Sequence, residues 1–362
     1  MHLVFVMTTS LCYWSLRGID MIKMKCVVLI TCIVLSCSTA IVLLHGEKKD
    51  PLIVNMELKR FFPSEKEDNE RVFLAQPWSM ARDIKGYFYV YDNKEKTIAV
   101  FDPAGNFVSK IGRRGQGPGE FLYIRRIIPE GDNLTILDST KHELCLLNSE
   151  GRYLNSTKLF RSYSDFALDH NGRVYCALES RAVNSYLVDV LDESGQLLYS
   201  FGNPIRRFKD SSDSYLNETK IVCDGNCVTL LFITIPLIQQ YDLNGKLVRE
   251  WSFEELPRIK QEEKENLIRI KNMIPGKTSY SHISDAIRHE KESYYVLRNV
   301  GNGLEIIKLN SNLKFDKVYV YKDINESFYL ALDFYVRHED TKPTFYIVRI
   351  LPYARIEVIC PP

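Results

Sequence analysis

From about residue 75 to the end of the chain, short runs of Tyr, Val, Ile, Leu and Phe are broken by clusters of Asp, Asn and Gly. Runs this short, bounded by turn residues, predict strands rather than helices. They recur in a fixed order: a short strand, an Asp, Gly or Asn turn, an aromatic and aliphatic strand, a polar turn, a strand ending in Asp or Asn, a Gly turn, and a last strand. The clearest copy runs Tyr87–Asp92, Thr97–Asp102, a turn at Pro103–Asn106, then Phe107–Gly112. Later copies read Leu134–Asp138, Glu143–Asn148 and Tyr153 onward; Val174–Leu178, Tyr186–Asp192 and Leu197–Gly202; Thr229–Ile233, Ile238–Asp242 and Leu247–Trp251; Tyr294–Leu297, Leu304–Asn310 and Lys317–Tyr321. A sixth is shortened to Thr344–Arg349 and Arg355–Ile359.

The turn glycines fall at 105, 151, 195 and 245, steps of 46, 44 and 50 residues. That step fits one four-stranded sheet, and a sheet of that size cannot bury both of its faces unless copies stack around an axis. The expected fold is therefore all-β: a six-bladed β-propeller with four-stranded antiparallel blades. The last blade lacks a fourth strand, and a spare strand pattern at Leu52–Leu58 precedes the first, so that segment is expected to pair with the final blade and close the ring. Innermost strands are expected at Trp78–Ile84, Ile124–Glu130, Asp165–His170, Lys220–Asp224, Ile283–Glu290 and Ala331–His338, lining a central channel. Glu254–Met273 departs from the pattern: it is charged, with partly helical apolar spacing. It reads as a short helix or excursion, either a solvated insertion, the plainer reading, or a lid over one channel mouth.

Upstream, Cys26–Leu44 is nineteen residues without a charge, preceded by Lys23 and Lys25 and followed by Glu47, Lys48, Lys49 and Asp50. This charge asymmetry marks an export or membrane segment that sends the downstream chain out of the cytoplasm. Two means of attachment stay open. Val34-Leu35-Ser36-Cys37 resembles a lipobox with Cys37 as the lipidated residue; alternatively, the run spans the bilayer uncut, since nineteen helical residues reach roughly 28 Å. Residues 1–50 are thus assigned to export or anchoring and 51–362 to the propeller. Residues 1–20 fit neither a signal n-region nor a folded element, and Met21 or Met24 would give a conventional basic start. Cys145, Cys176, Cys223, Cys227 and Cys360 are left in the propeller, an odd number. Cys223-Asp-Gly-Asn-Cys227 reads as two small residues flanking a turn, with a cross-turn disulfide or half a metal site as the sharper alternatives.

At Ile111-Gly-Arg-Arg-Gly-Gln-Gly-Pro-Gly-Glu-Phe121 one loop stands out. Gly112, Gly115, Gly117 and Gly119 permit positive φ and close approach, Pro118 restricts the chain, and Glu120 and Phe121 are expected to anchor the loop, the carboxylate on amides or an arginine and the ring in the inter-blade core. A phosphate cradle is disfavoured, because the Walker Lys-Ser/Thr is missing and the loop enters a strand instead of a helix. The segment resembles the Gly-x-x-Gly-x-Gly-Pro-Gly-Glu-Phe stretch of six-bladed propellers related to the NHL-repeat and TolB-like families, common as lipoproteins and exported proteins of Gram-negative bacteria. The resemblance implies an extracytoplasmic propeller in the cell envelope and carries over no catalytic residue.

Lys plus Arg (47) nearly cancels Asp plus Glu (46), so no one-signed field recruits nucleic acid. Propellers place ligands at a channel mouth, which makes Arg82, Arg125, Arg126, Asp165, Asp285, Arg288 and Asp333 the candidate binding residues. Asp83, Asp169, His289, Arg337 and His338 are further inner-strand charges, several of them expected in ordinary turns. No Gly-x-Ser-x-Gly elbow, Cys-His constellation or His-Glu-x-x-His zinc motif is present, and no cofactor or metal is called for. Two functions remain: a membrane-tethered binding or scaffold module for a protein or glycan partner of the envelope, or a metal-dependent hydrolase or lyase with its site at the channel mouth.

Overall fold

Burial along the repeats grades from the axis outward. Strands in the middle of each unit are buried on both faces, as in Phe88–Asp92 and Val174–Leu178, whereas the outermost strands, such as Phe107–Ile111, expose most of their residues. That gradient is what radially stacked sheets require. The computed structural model describes residues 52–63, 74–179, 186–253, 256–273, 281–339 and 342–362. The apolar run Cys26–Leu44, with Cys37, and the opening residues 1–20 lie outside the described residues. Among the described residues no helix is long and apolar enough to cross a membrane.

The chain begins with β1 (Ile53–Asn55) and β2 (Glu57–Phe62). Blade 1 is β3 (Pro77–Arg82), β4 (Phe88–Asp92), β5 (Thr97–Phe101) and β6 (Phe107–Ile111). Blade 2 is β7 (Ile124–Glu130), β8 (Asn133–Asp138), β9 (Glu143–Asn148) and β10 (Tyr153–Lys158). Blade 3 is β11 (Tyr163–Leu168), β12 (Val174–Leu178), β13 (Val188–Leu191) and β14 (Leu197–Phe201). A single helical turn, α1 (Asp213–Leu216), leads to blade 4: β15 (Thr219–Cys223), β16 (Cys227–Phe232), β17 (Leu237–Asp242) and β18 (Leu247–Ser252). After α2 (Pro257–Lys271) come blade 5, β19 (Ala286–Glu290), β20 (Ser293–Val300), β21 (Gly303–Asn310) and β22 (Phe315–Lys322), and blade 6, β23 (Leu330–Glu339), β24 (Lys342–Leu351) and β25 (Arg355–Cys360). Within each blade, sequential strands pair antiparallel. The architecture is the six-bladed propeller expected from the repeats.

Ring closure differs from the expectation in detail. The strand that completes blade 6 is β2, antiparallel to β25, and its Phe62 ring lies against Phe88 and Phe101 of blade 1 at centroid distances of 5.3 and 5.2 Å. β1, which the pattern at Leu52–Leu58 assigned to the same pairing, instead joins blade 5 as a fifth strand, parallel to β22. The hydrophobic pattern of so short a segment does not reveal that it changes partner at Met56.

The turns explain the Asp and Gly signature. In blades 1 to 5 the turn between third and fourth strands starts at Asp102, Asn148, Asp192, Asp242 or Asn310, whose side-chain oxygen accepts the N–H four residues on. Three residues on, φ is positive: glycine in four turns, Leu313 (φ 58°) in the fifth. Glycine is favoured there because a Cβ crowds the backbone at positive φ.

The charged segment between blades 4 and 5 is docked, contrary to the reading as a solvated insertion. Ile259 and Ile270 of α2 are 1% exposed. Glu262 accepts from the buried Arg298 of β20, Arg298 also donates to Glu305 at 3.0 Å, and Asn266 Nδ2 donates to the Thr234 carbonyl at 2.8 Å. Helical spacing locates the apolar stripe but not its partner.

Candidate functional site

All six innermost strands converge on one cavity of about 110 Å³. Its position is set by the topology: the strands nearest the axis leave a central space, and their side chains enter it from every blade. Of the seven candidate residues, Arg125, Arg126, Asp165, Asp285, Arg288 and Asp333 line this cavity. Arg82 does not; its guanidinium stacks over Phe88, Tyr335 and Tyr346 at 5.2 to 6.0 Å, between blades 1 and 6. Asp83 and Asp169 sit in inner turns, where they accept the backbone N–H groups of Tyr87 and of Asn171 and Arg173.

Local irregularity decides which side chains face the axis. The pairing of first and second strands slips at Pro77/Ser79 in blade 1, Ile124/Arg126 in blade 2, Tyr163/Asp165 in blade 3 and Ala331/Asp333 in blade 6. A bulge re-aims the neighbouring side chains. Of the inserted residues, Trp78, Arg125 and Leu332 line the cavity.

Two charge clusters across the channel are built alike. Asp165 of blade 3 accepts Arg126 Nη1 of blade 2 at 2.9 Å and the Ile221 N–H of blade 4 at 3.0 Å. Asp333 of blade 6 accepts Arg288 of blade 5 and the Met80 N–H of blade 1 at 3.0 Å. Each carboxylate also accepts the N–H of the phenylalanine after it, Phe166 or Phe334. Each aspartate therefore fastens both of its neighbouring blades, and its acceptor capacity is largely taken up.

Asp285 is occupied as well: its carboxylate accepts Asn299 Nδ2 at 3.0 Å and meets His282 Nδ1 at 3.2 Å. Burial disfavours charge on His282, but the hydrogen bond and charge of Asp285, with Glu218 nearby, outweigh it and raise its pKa. Arg125 pairs with Glu179 at 2.9 Å and lies over the Tyr123 ring, which in turn stands 5.8 Å from Trp78. Lys220 is different. It lines the cavity half-buried, and among the described residues its ammonium makes no hydrogen bond or ion pair. Among the described residues no three of His, Cys, Asp and Glu come together in a group able to hold a metal ion.

Trp78, Lys220 and His282 were missed by the sequence reading. Trp78 and Lys220 lie within strands that were placed on the channel, but the bulge that re-aims Trp78 leaves no mark in the sequence pattern, and the charge pairing that leaves Lys220 apart depends on other blades. His282 precedes the expected fifth inner strand.

The glycine loop is remote from this cavity in its contacts. Phe121 is fully buried in the core between blades 1 and 2. Glu120 accepts the Gly117 N–H at 2.9 Å and Arg113 Nε at 2.7 Å; the amide first, then the arginine, holds its carboxyl below the usual range. Gly112 (φ 73°) has no room for a Cβ beside the Phe121 ring, and at Gly115 a Cβ would meet the Glu120 carboxylate. Pro118 sits between Gly117 and Gly119 (φ 71°) at the loop's tip. Lys141, from the turn after β8, donates to the Gly117 and Glu120 carbonyls at 3.1 and 3.0 Å. Cys223 and Cys227 bound the turn between β15 and β16 as free, half-buried thiols.

A family model described as a 6-bladed beta-propeller matches residues 68–204. Among solved structures, a protein named as exported from Bacteroides fragilis resembles the chain with a TM-score of 0.56 at 13% identity, over 86% of this chain and 99% of that one. A member of the DUF4221 family from Bacteroides vulgatus gives 0.52 at 11% identity, over 85% and 97%. A catalytically inactive virginiamycin B lyase from Staphylococcus aureus, with quinupristin, gives 0.51 at 11% identity, over 84% and 99%. At these identities the likeness is one of fold. No curated protein matches the sequence.

Proposed function

We propose that the protein is an extracytoplasmic binding module, tethered to the membrane through its N-terminal segment, that receives a glycan at the channel mouth. The observation that carries this reading is the division of labour in the cavity. Asp165 and Asp333 are held by arginine and backbone donors and brace the blades, and Asp285 is held by His282 and Asn299, so the acceptor capacity of all three is largely taken up by the protein itself. The open space is lined by one aromatic residue, Trp78, together with charged groups and the Ser79 hydroxyl, a lining suited to stacking on a sugar ring and bonding its hydroxyls. The charge asymmetry around Cys26–Leu44 supports the tether and the compartment.

The test is a screen of soluble oligosaccharides against the full-length chain in detergent, read by thermal shift, since a ligand of the folded state raises Tm by mass action. A glycan that stabilises the wild type should lose at least about tenfold in affinity on Trp78→Ala. A stabilising ligand indifferent to Trp78→Ala, or a protein partner bound through the outer blade faces with the channel substituted, would refute the assignment.

A further inference from the structure

We infer that Lys220 makes the channel mouth selective for a hydroxylated ligand carrying a single carboxylate, an acidic sugar or a small hydroxy acid. This rests on the channel-mouth reading and adds the ligand's charge to it. Three arginines and a lysine line the cavity, Arg125, Arg126, Arg288 and Lys220, beside His282, which meets Asp285. The first three are ion-paired, to Glu179, Asp165 and Asp333. Lys220 alone of the four lacks a counter-charge among the described residues, although it is half-buried. An ammonium withdrawn from bulk water without a partner is a cost that a bound anion removes.

The same inventory sets the anion's size and charge. A phosphate dianion calls for several convergent donors or a guanidinium fork. Here the forks are engaged, and Asp165, Glu218, Asp285 and Asp333 surround the space with negative charge. With Asp165 and Asp333 matched by arginines and Asp285 held by His282 and Asn299, Lys220 leaves one positive charge for a ligand to match. Lys220 lies on β15 of blade 4, while Trp78 lies on β3 of blade 1, so the two approach the cavity from separate blades. A ring stacked on Trp78 and carrying a carboxylate directed to Lys220 uses both. Ser79 and the outward edges of the charge clusters lie along the same lining for its hydroxyls.

Calorimetric titration of the full-length chain with matched pairs, galacturonate against galactose and lactate against glycerol, tests this. The acid of at least one pair should bind about tenfold or more tighter than its neutral counterpart, the worth of one charge-assisted hydrogen bond. Lys220→Met, which keeps the aliphatic stem, should abolish the preference, and Lys220→Arg should retain it; melting curves establish that both variants fold. Dependence of galacturonate binding on Trp78 identifies an acidic sugar. Lactate binding unaffected by Trp78→Ala identifies a hydroxy acid. A preference surviving in Lys220→Met, or an acid that binds no better than its neutral mate, overturns the inference. If galactose binds through Trp78 as tightly as galacturonate, selectivity alone has failed. If the ligands that bind ignore both Trp78→Ala and Lys220→Met, the channel-mouth reading has failed with it.

Discussion

Asp138, at the end of β8, accepts the backbone N–H groups of Leu122, Tyr123, Thr140 and Lys141, with no exposed surface of its own. Asp92 does the same in blade 1 for Ala75, Gln76, Lys94 and Glu95. One carboxylate thus fixes both the turn after its strand and the chain entering the same blade's first strand. Asp138→Ala would take the shared acceptor from four backbone donors at a partly buried site and should cost about 2 kcal/mol by denaturant unfolding. Asp138→Asn should recover part of that, because one acceptor oxygen remains. These aspartates were legible in the sequence as a repeated strand-ending Asp, since their role is local. Lys141, which clamps the glycine loop, was not, because nothing within its own blade distinguishes it from an ordinary turn lysine.

Among the elements, the insertion between blades 4 and 5 shows where sequence reading stops. The charged composition of Pro257–Lys271 and its helical spacing were visible, but docking relies on Arg298, Glu305 and Thr234 from strands and turns far along the chain. Asn266 also accepts the Ser281 N–H at 2.8 Å, next to His282 and four residues before Asp285 enters the fifth blade. The insertion therefore has a hand in placing a titratable pair at the cavity. The groups facing His282 are Asp285 and Glu218, which favour its charge, and Lys220, which opposes it. With the folded pKa raised, this pair stabilises the fold fully below about pH 6.5, the unfolded value, and the contribution is lost as pH rises through the folded value. The imidazole is 42% exposed, so the effect should stay below about 1 kcal/mol. The difference in Tm between wild type and His282→Gln, measured across that range, should be larger on the acid side; a pH-independent difference would contradict the pairing.

For the whole molecule, the repeat count was readable because each blade is a local unit, whereas the contacts between blades were not. The Asp165 and Asp333 clusters illustrate the point: each links three consecutive blades, and their likeness divides the ring into two triplets, blades 2–4 and blades 5, 6 and 1. The seam between the chain's two ends has a comparable weight in Phe62, 2% exposed among Phe88, Phe101 and Ile356. Phe62→Ala should cost about 3–5 kcal/mol, as for other buried aromatic truncations, while equilibrium unfolding stays a single transition. Early, separate loss of blade 6 would show that the ring does not unfold as one.

The change of partner at Met56 has a mechanical side. Tension arriving along the chain from the N-terminal direction meets β1 before β2, and β1 is fastened lengthwise to β22, with the Met56 N–H adding a bond to the Val320 carbonyl at 2.8 Å. Blade 5 takes up that load in shear, several bonds sharing it together, and the closing strand of blade 6 is shielded from being peeled away. The short parallel strand works like the clamp that keeps a tug on a cable from reaching its terminals.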